Sequence, residues 1–186
     1  MRSPTVDLLG IFGVVFVVQQ LGTVAGLGPA WFALVTPVAR PWTLVTSVYA
    51  HASLSHLLAN AVALALVGFS IERFTTRARL HAFVLVTGTL AGLAELLVGG
   101  LFGGAVGVAG ASGAIFALYG YVLAGNPLAG GVLDRIDLGR RETLALLACV
   151  ALAVTLLTGG VGVALVAHAT GAVLGVVAGR LRLLQP

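Results

Sequence analysis

Six long apolar stretches, separated by short polar or glycine-rich connections, constrain this chain more than any other feature. They lie at roughly 6–26, 53–71, 80–98, 112–126, 142–158 and 162–181, with boundaries good to about two to four residues. Most approach the ~20 residues that a helix needs to cross the hydrocarbon core. Composition agrees. Hydrophobic residues make up 59% of the chain and charged residues 9%, with mean hydropathy +1.10, whereas about a quarter of a soluble domain is charged. The expected fold is an all-α integral membrane protein, with residues 1–186 as a single transmembrane domain of six helices in the lipid bilayer.

The fourth stretch differs from the others. At about fifteen residues it would span ~22 Å as a helix, too short to cross alone. It follows a run of glycines: Gly99, Gly100, Gly103, Gly104, Gly107, Gly110 and Gly113. Irregular backbone is tolerated at membrane depth only where protein or a water-filled cavity surrounds it. A recessed fourth helix is therefore expected, beginning part-way into the membrane with Ser112 at its N-terminal end. Some of these glycines also suit close helix packing of the small-xxx-small kind.

Arginine placement supports six crossings. All ten basic residues are Arg. Arg2, Arg73, Arg77, Arg79, Arg135, Arg140, Arg141, Arg180 and Arg182 fall on one side of a six-span chain, leaving Arg40 on the other. The positive-inside rule then makes both termini cytoplasmic, in a multi-pass protein of the cell membrane. The first stretch is read as a span and not a secretory signal, because it continues past Gln19-Gln20 to Ala25. The pI of about 10.2 comes from those few arginines. No basic patch is interleaved with aromatics, so no nucleic-acid partner is expected. Cys149 is alone and the histidines lack an HExxH spacing, so neither a metal nor another cofactor is expected.

The polar residues inside these apolar stretches carry the functional signal. His56 and Asn60 are four apart and share a helix face. His51, about 140° from His56 at 100° per residue, is expected to point elsewhere. Ser112 lies in Gly110-Ala111-Ser112-Gly113, and His168 opens His168-Ala169-Thr170-Gly171. Polar groups at bilayer depth are costly and read by default as functional. A serine, a histidine base and further donors suggest nucleophilic acyl transfer. Taken singly, each residue has a plainer role: Ser112 as a helix cap, His56 and Asn60 as interhelical hydrogen bonds. Glu95 and His81 are expected at the membrane interfaces, and Gln19 and Gln20 in packing or interhelical contacts.

Three blocks carry a family resemblance: His51-Ala-Ser-Leu-Ser-His56-Leu-Leu-Ala-Asn60, Gly110-Ala-Ser112-Gly-Ala-Ile-Phe-Ala-Leu-Tyr-Gly-Tyr121, and Ala167-His168-Ala-Thr-Gly171-Ala-Val-Leu-Gly175. They fall in order on the second, fourth and sixth stretches, and Glu72-Arg73 after the second also fits. The chain resembles the rhomboid intramembrane serine proteases in their minimal six-helix form. The resemblance implies Ser112 as nucleophile and His168 as general base and acid, without a third carboxylate. It implies oxyanion support from His56, Asn60 and the Ser112 N–H. Gly110 and Gly113 would flank the nucleophile, while Gly171 and Gly175 let the sixth helix approach the fourth. The substrates implied are single-span or multi-span membrane proteins, reached sideways past the fifth helix and the Thr158-Gly159-Gly160 turn.

Two positions depart from the family. Phe116 stands where Tyr is common; it keeps a stacking face for His168 but no phenol hydrogen bond. The 28–52 loop reads Arg40-Pro41-Trp42-Thr43 and lacks the usual adjacent Trp-Arg pair, which implies different packing there. The rival from the same family is an inactive rhomboid-like protein that binds or escorts transmembrane partners. A transporter would need a polar relay across the whole bilayer, yet the inner halves of these stretches carry no buried charge.

Overall fold

The computed structural model describes residues 3–36, 38–101, 107–125 and 164–185. Arg2, Gly103, Gly104, Asn126-Pro127, the arginines at 135, 140 and 141, the fifth stretch with Cys149, and the Thr158-Gly159-Gly160 turn lie outside them.

Among the described residues there are six α-helices: α1 Pro4–Val24, α2 Thr43–Tyr49, α3 Leu54–Ile71, α4 Arg77–Leu101, α5 Ser112–Gly125 and α6 Leu165–Arg180. α1, α3 with its following 3₁₀ turn, and α4 are long and apolar enough to cross a membrane. The helices start where local chemistry caps them. Ser3 Oγ accepts the Val6 N–H at 3.2 Å, with proline in the first turn of α1. Ser53 Oγ accepts the His56 N–H at 3.1 Å and opens α3. Thr76 Oγ1 accepts the Arg79 N–H at 3.3 Å. That cap explains why α4 begins at Arg77 rather than at the apolar boundary near 80: its first turn is polar.

Three short elements were not legible in the hydropathy. The outer loop between α1 and α3 contains α2, and Leu34–Val35 (β1) pairs antiparallel with Gly107–Val108 (β2). This ladder joins the first outer loop to the glycine-rich segment ahead of α5.

The starts of α1 and α4 and the ends of α3 and α6 meet at one end of the bundle. Glu72 accepts from Ser3 Oγ at 2.6 Å and from the Thr5 N–H at 3.1 Å. Arg77 Nε lies 2.8 Å from Asp7 Oδ2, and Arg79 donates to the Gln185 carbonyl. Arg73, Arg77, Arg79, Arg180 and Arg182 therefore gather at that end, opposite Arg40, as the alternating arginines require.

Leu8, Phe12, Leu64, Leu80 and Leu118 are buried, while Val14, Leu21, Leu66 and Leu97 face outward. Since lipid is as apolar as leucine, such a bundle is held by close packing and hydrogen bonds more than by hydrophobic sorting. The tightest contact joins α5 to α6. A Cβ on Gly171 would collide with the Gly113 carbonyl, and one on Gly175 with the Ala117 carbonyl. Gly120 meets the Ala172 carbonyl from the other side. Backbone thus touches backbone at three points over about two turns of α5.

That contact makes a prediction about stability. Gly171→Val has no flexible neighbour to displace, so it should exceed the ~1–3 kcal/mol typical of overpacking. Gly100→Ala, with nothing within 4 Å of its would-be Cβ, should leave thermal unfolding in detergent nearly unchanged.

Candidate active site

Ser112 is the first residue of α5, the short helix, and opens it below the glycine-rich segment. At 14 residues, α5 spans only ~21 Å, less than the ~30 Å hydrocarbon layer. The α5–α6 contact then sets His168 opposite Ser112, one turn before Gly171. The His168 Nε2 atom lies 2.8 Å from Ser112 Oγ, a hydrogen-bond distance for a nucleophile and its base. His168 is 5% exposed and so shielded from competing water. The Phe116 ring stacks on its imidazole, centroids 4.6 Å apart and planes at 28°.

His56 reaches the site from α3. Its ring packs directly on Gly110, where an added Cβ would stand 2.7 Å from His56 Cε1. Gly110 also has φ +133°, a conformation that side chains rarely adopt. Its N–H donates to the Ser47 carbonyl of α2 at 2.8 Å. The His56 backbone is held on both sides: its N–H by Ser53, its carbonyl by Asn60 Nδ2 at 2.9 Å. Asn60 is buried one turn below. Ser112, His168, His56, Asn60 and Gly113 line one cavity of about 670 Å³. The structure thus brings together the residues singled out in the three sequence blocks.

Two expectations need correction. His51 is not turned away from His56. It precedes the Ser53 cap, so a helical rotation of 100° per residue does not apply to it. Its ring, 1% exposed, meets the His56 ring edge-on with centroids 5.2 Å apart and also packs on Phe12 at 5.0 Å. Gln19 of α1 clamps its backbone, accepting the His51 N–H at 2.9 Å and donating to the His51 carbonyl at 3.4 Å. Glu95 is not merely interfacial either. Its Oε2 accepts the Ala167 N–H at 2.8 Å, beside His168. The Gln19–His51 and Glu95–Ala167 bonds were not visible in the sequence, because each joins residues more than thirty positions apart.

The first outer loop solves its missing Trp-Arg neighbour pair in space. The Arg40 guanidinium lies 4.8 Å from the Trp31 ring centroid, and Trp31 stacks on Trp42 at 5.8 Å. Trp42 Nε1 donates to the Trp31 carbonyl at 3.0 Å. The loop keeps an aromatic–cation cluster suited to the bilayer interface.

A family model, the Rhomboid domain, matches residues 38–185. The chain belongs to the rhomboid family. No curated protein matches it. Membership makes this an all-α membrane bundle of the rhomboid kind and places it among the intramembrane proteases and their relatives. The match spans the second, fourth and sixth stretches, which carry His56, Asn60, Ser112, Phe116 and His168.

Within this rhomboid the Gln19 clamp is testable. Gln19→Ala leaves the buried His51 N–H unpaired and should cost ~1–3 kcal/mol. Gln20→Ala, on an exposed position, should change stability by less than ~0.5 kcal/mol. Thermal unfolding of the two variants in one detergent makes the comparison.

Proposed function

We propose that this rhomboid is an active intramembrane serine endopeptidase using Ser112 and His168 as a dyad. The observation carrying the reading is the 2.8 Å approach of His168 Nε2 to Ser112 Oγ in a sheltered cavity. A serine hydroxyl is a weak nucleophile until a base removes its proton. Ser112 Oγ attacks the scissile carbonyl carbon while His168 takes the hydroxyl proton. The tetrahedral oxyanion is met by the Ser112 N–H at the α5 N-terminus, by the His56 imidazole and by Asn60. An amide carries two N–H donors, so Asn60 can hold the His56 carbonyl and still offer one. His168 then gives its proton to the leaving amine as the C–N bond breaks. Water, deprotonated by His168, hydrolyses the acyl-enzyme and restores Ser112.

The substrates in this reading are transmembrane segments of single-span or multi-span proteins. An intact helix hides its carbonyls in internal hydrogen bonds, so the segment unwinds locally before attack. Gly110 and Gly113 leave little room beside Ser112, which favours small residues at the cut. We place the protein in the cell membrane with both termini cytoplasmic, on the positive-inside distribution of its arginines.

Ser112→Ala and His168→Ala should each abolish cleavage of a generic single-span substrate by the detergent-purified protein. Either loss should cost about as much as both, since the two act as a unit. A serine-directed fluorophosphonate should label Ser112 in the wild type alone; a folded protein that neither cleaves nor labels would be an inactive, partner-binding rhomboid. His56→Ala and Asn60→Ala should lower kcat by about 10- to 1,000-fold with little change in KM, because such donors act on the transition state.

A further inference from the structure

The helix that carries His168 begins without a cap of its own. Its N-cap residue is Ala164, held at φ 47° and ψ 32°, with no side chain able to accept a hydrogen bond. The first N–H groups of any helix lack partners within it. In α6 the third of these belongs to Ala167, which is 3% exposed and so shielded from water. Its N–H donates to Glu95 Oε2 at 2.8 Å. The carboxylate thus comes from another helix, α4, and stands where the helix dipole favours negative charge. Glu95 lines the same cavity as Ser112 and His168.

We propose that Glu95 is a positioning residue: its carboxylate caps α6 from α4 and fixes the turn that aims His168 at Ser112. The proposal rests on the dyad reading above. The glycine contacts at Gly171 and Gly175 lock α6 from one turn below His168 inward. At the outer turn, Glu95 supplies the directional bond, one residue from the base. A shift of about 1 Å at a reacting group can cost about 100-fold in rate, so a loosened first turn shows in kcat.

The test compares Glu95→Gln, which keeps an acceptor, with Glu95→Ala, which removes it, in the full chain. Glu95→Ala should lower kcat by about 10- to 100-fold with KM within about twofold, and Glu95→Gln should return to within about threefold of wild type. If Glu95→Ala does not fold, Glu95→Met, similar in size but without an acceptor oxygen, takes its place. Amide hydrogen exchange at Ala167 gives a readout independent of activity. It should quicken about 10-fold or more in the acceptor-less variant and stay slow in Glu95→Gln. Wild-type kcat in Glu95→Ala, Glu95→Gln as poor as Glu95→Ala, or unchanged exchange at Ala167 would each overturn the proposal. A wild-type protein without Ser112-dependent cleavage would instead sink the dyad reading, while the exchange measurement still judges the cap.

Discussion

Everything at the site depends on backbone touching backbone between α5 and α6. Helices in lipid gain nothing from hiding apolar side chains from a solvent equally apolar, so they associate where small residues permit close contact. Gly113 and Ala117 on one helix face Gly171 and Gly175 on the other, too close for any added side chain. Ser112 immediately precedes this seam and His168 lies one turn outside its first glycine. The 2.8 Å Ser112–His168 distance is a consequence of that packing.

The rest of the outer half supports the same pair. The described part of the segment ahead of Ser112 is irregular or extended, so its backbone needs partners outside a helix. It obtains them from β1, which pairs with Gly107–Val108, and from Ser47 of α2, which accepts the Gly110 N–H. α2 is in turn fixed to α4 through Thr89 Oγ1, which donates to the Leu44 carbonyl at 2.7 Å. His56 fits against Gly110 because that residue has no side chain, and His51 with Gln19 braces His56 from behind. The first outer loop is thus a scaffold for the nucleophile's loop.

Much of this was legible in one dimension. Hydropathy located the apolar helices among the described residues, because the bilayer tests length and polarity segment by segment. The apolar length of the fourth stretch and the glycine run before it foretold a short helix with Ser112 at its N-terminal end. His56, Asn60, Ser112 and His168 stood out because polar groups are rare in such apolar stretches. The close contact at Gly171 and Gly175 was expected from the resemblance to the rhomboid family, and the folded bundle shows it.

Other features were decided only by the tertiary structure. No periodicity indicates that Gln19 of α1 holds His51, that Glu95 of α4 caps the helix of His168, or that Arg40 lies over Trp31. His51 was misplaced because the wheel was extended past the residue where Ser53 stops the helix. Apolar length and rare polar residues are written in the chain, because the bilayer acts on each segment by itself. Which carboxylate, amide or carbonyl satisfies a buried N–H depends on how helices distant in sequence pack, and only the folded bundle chooses among them.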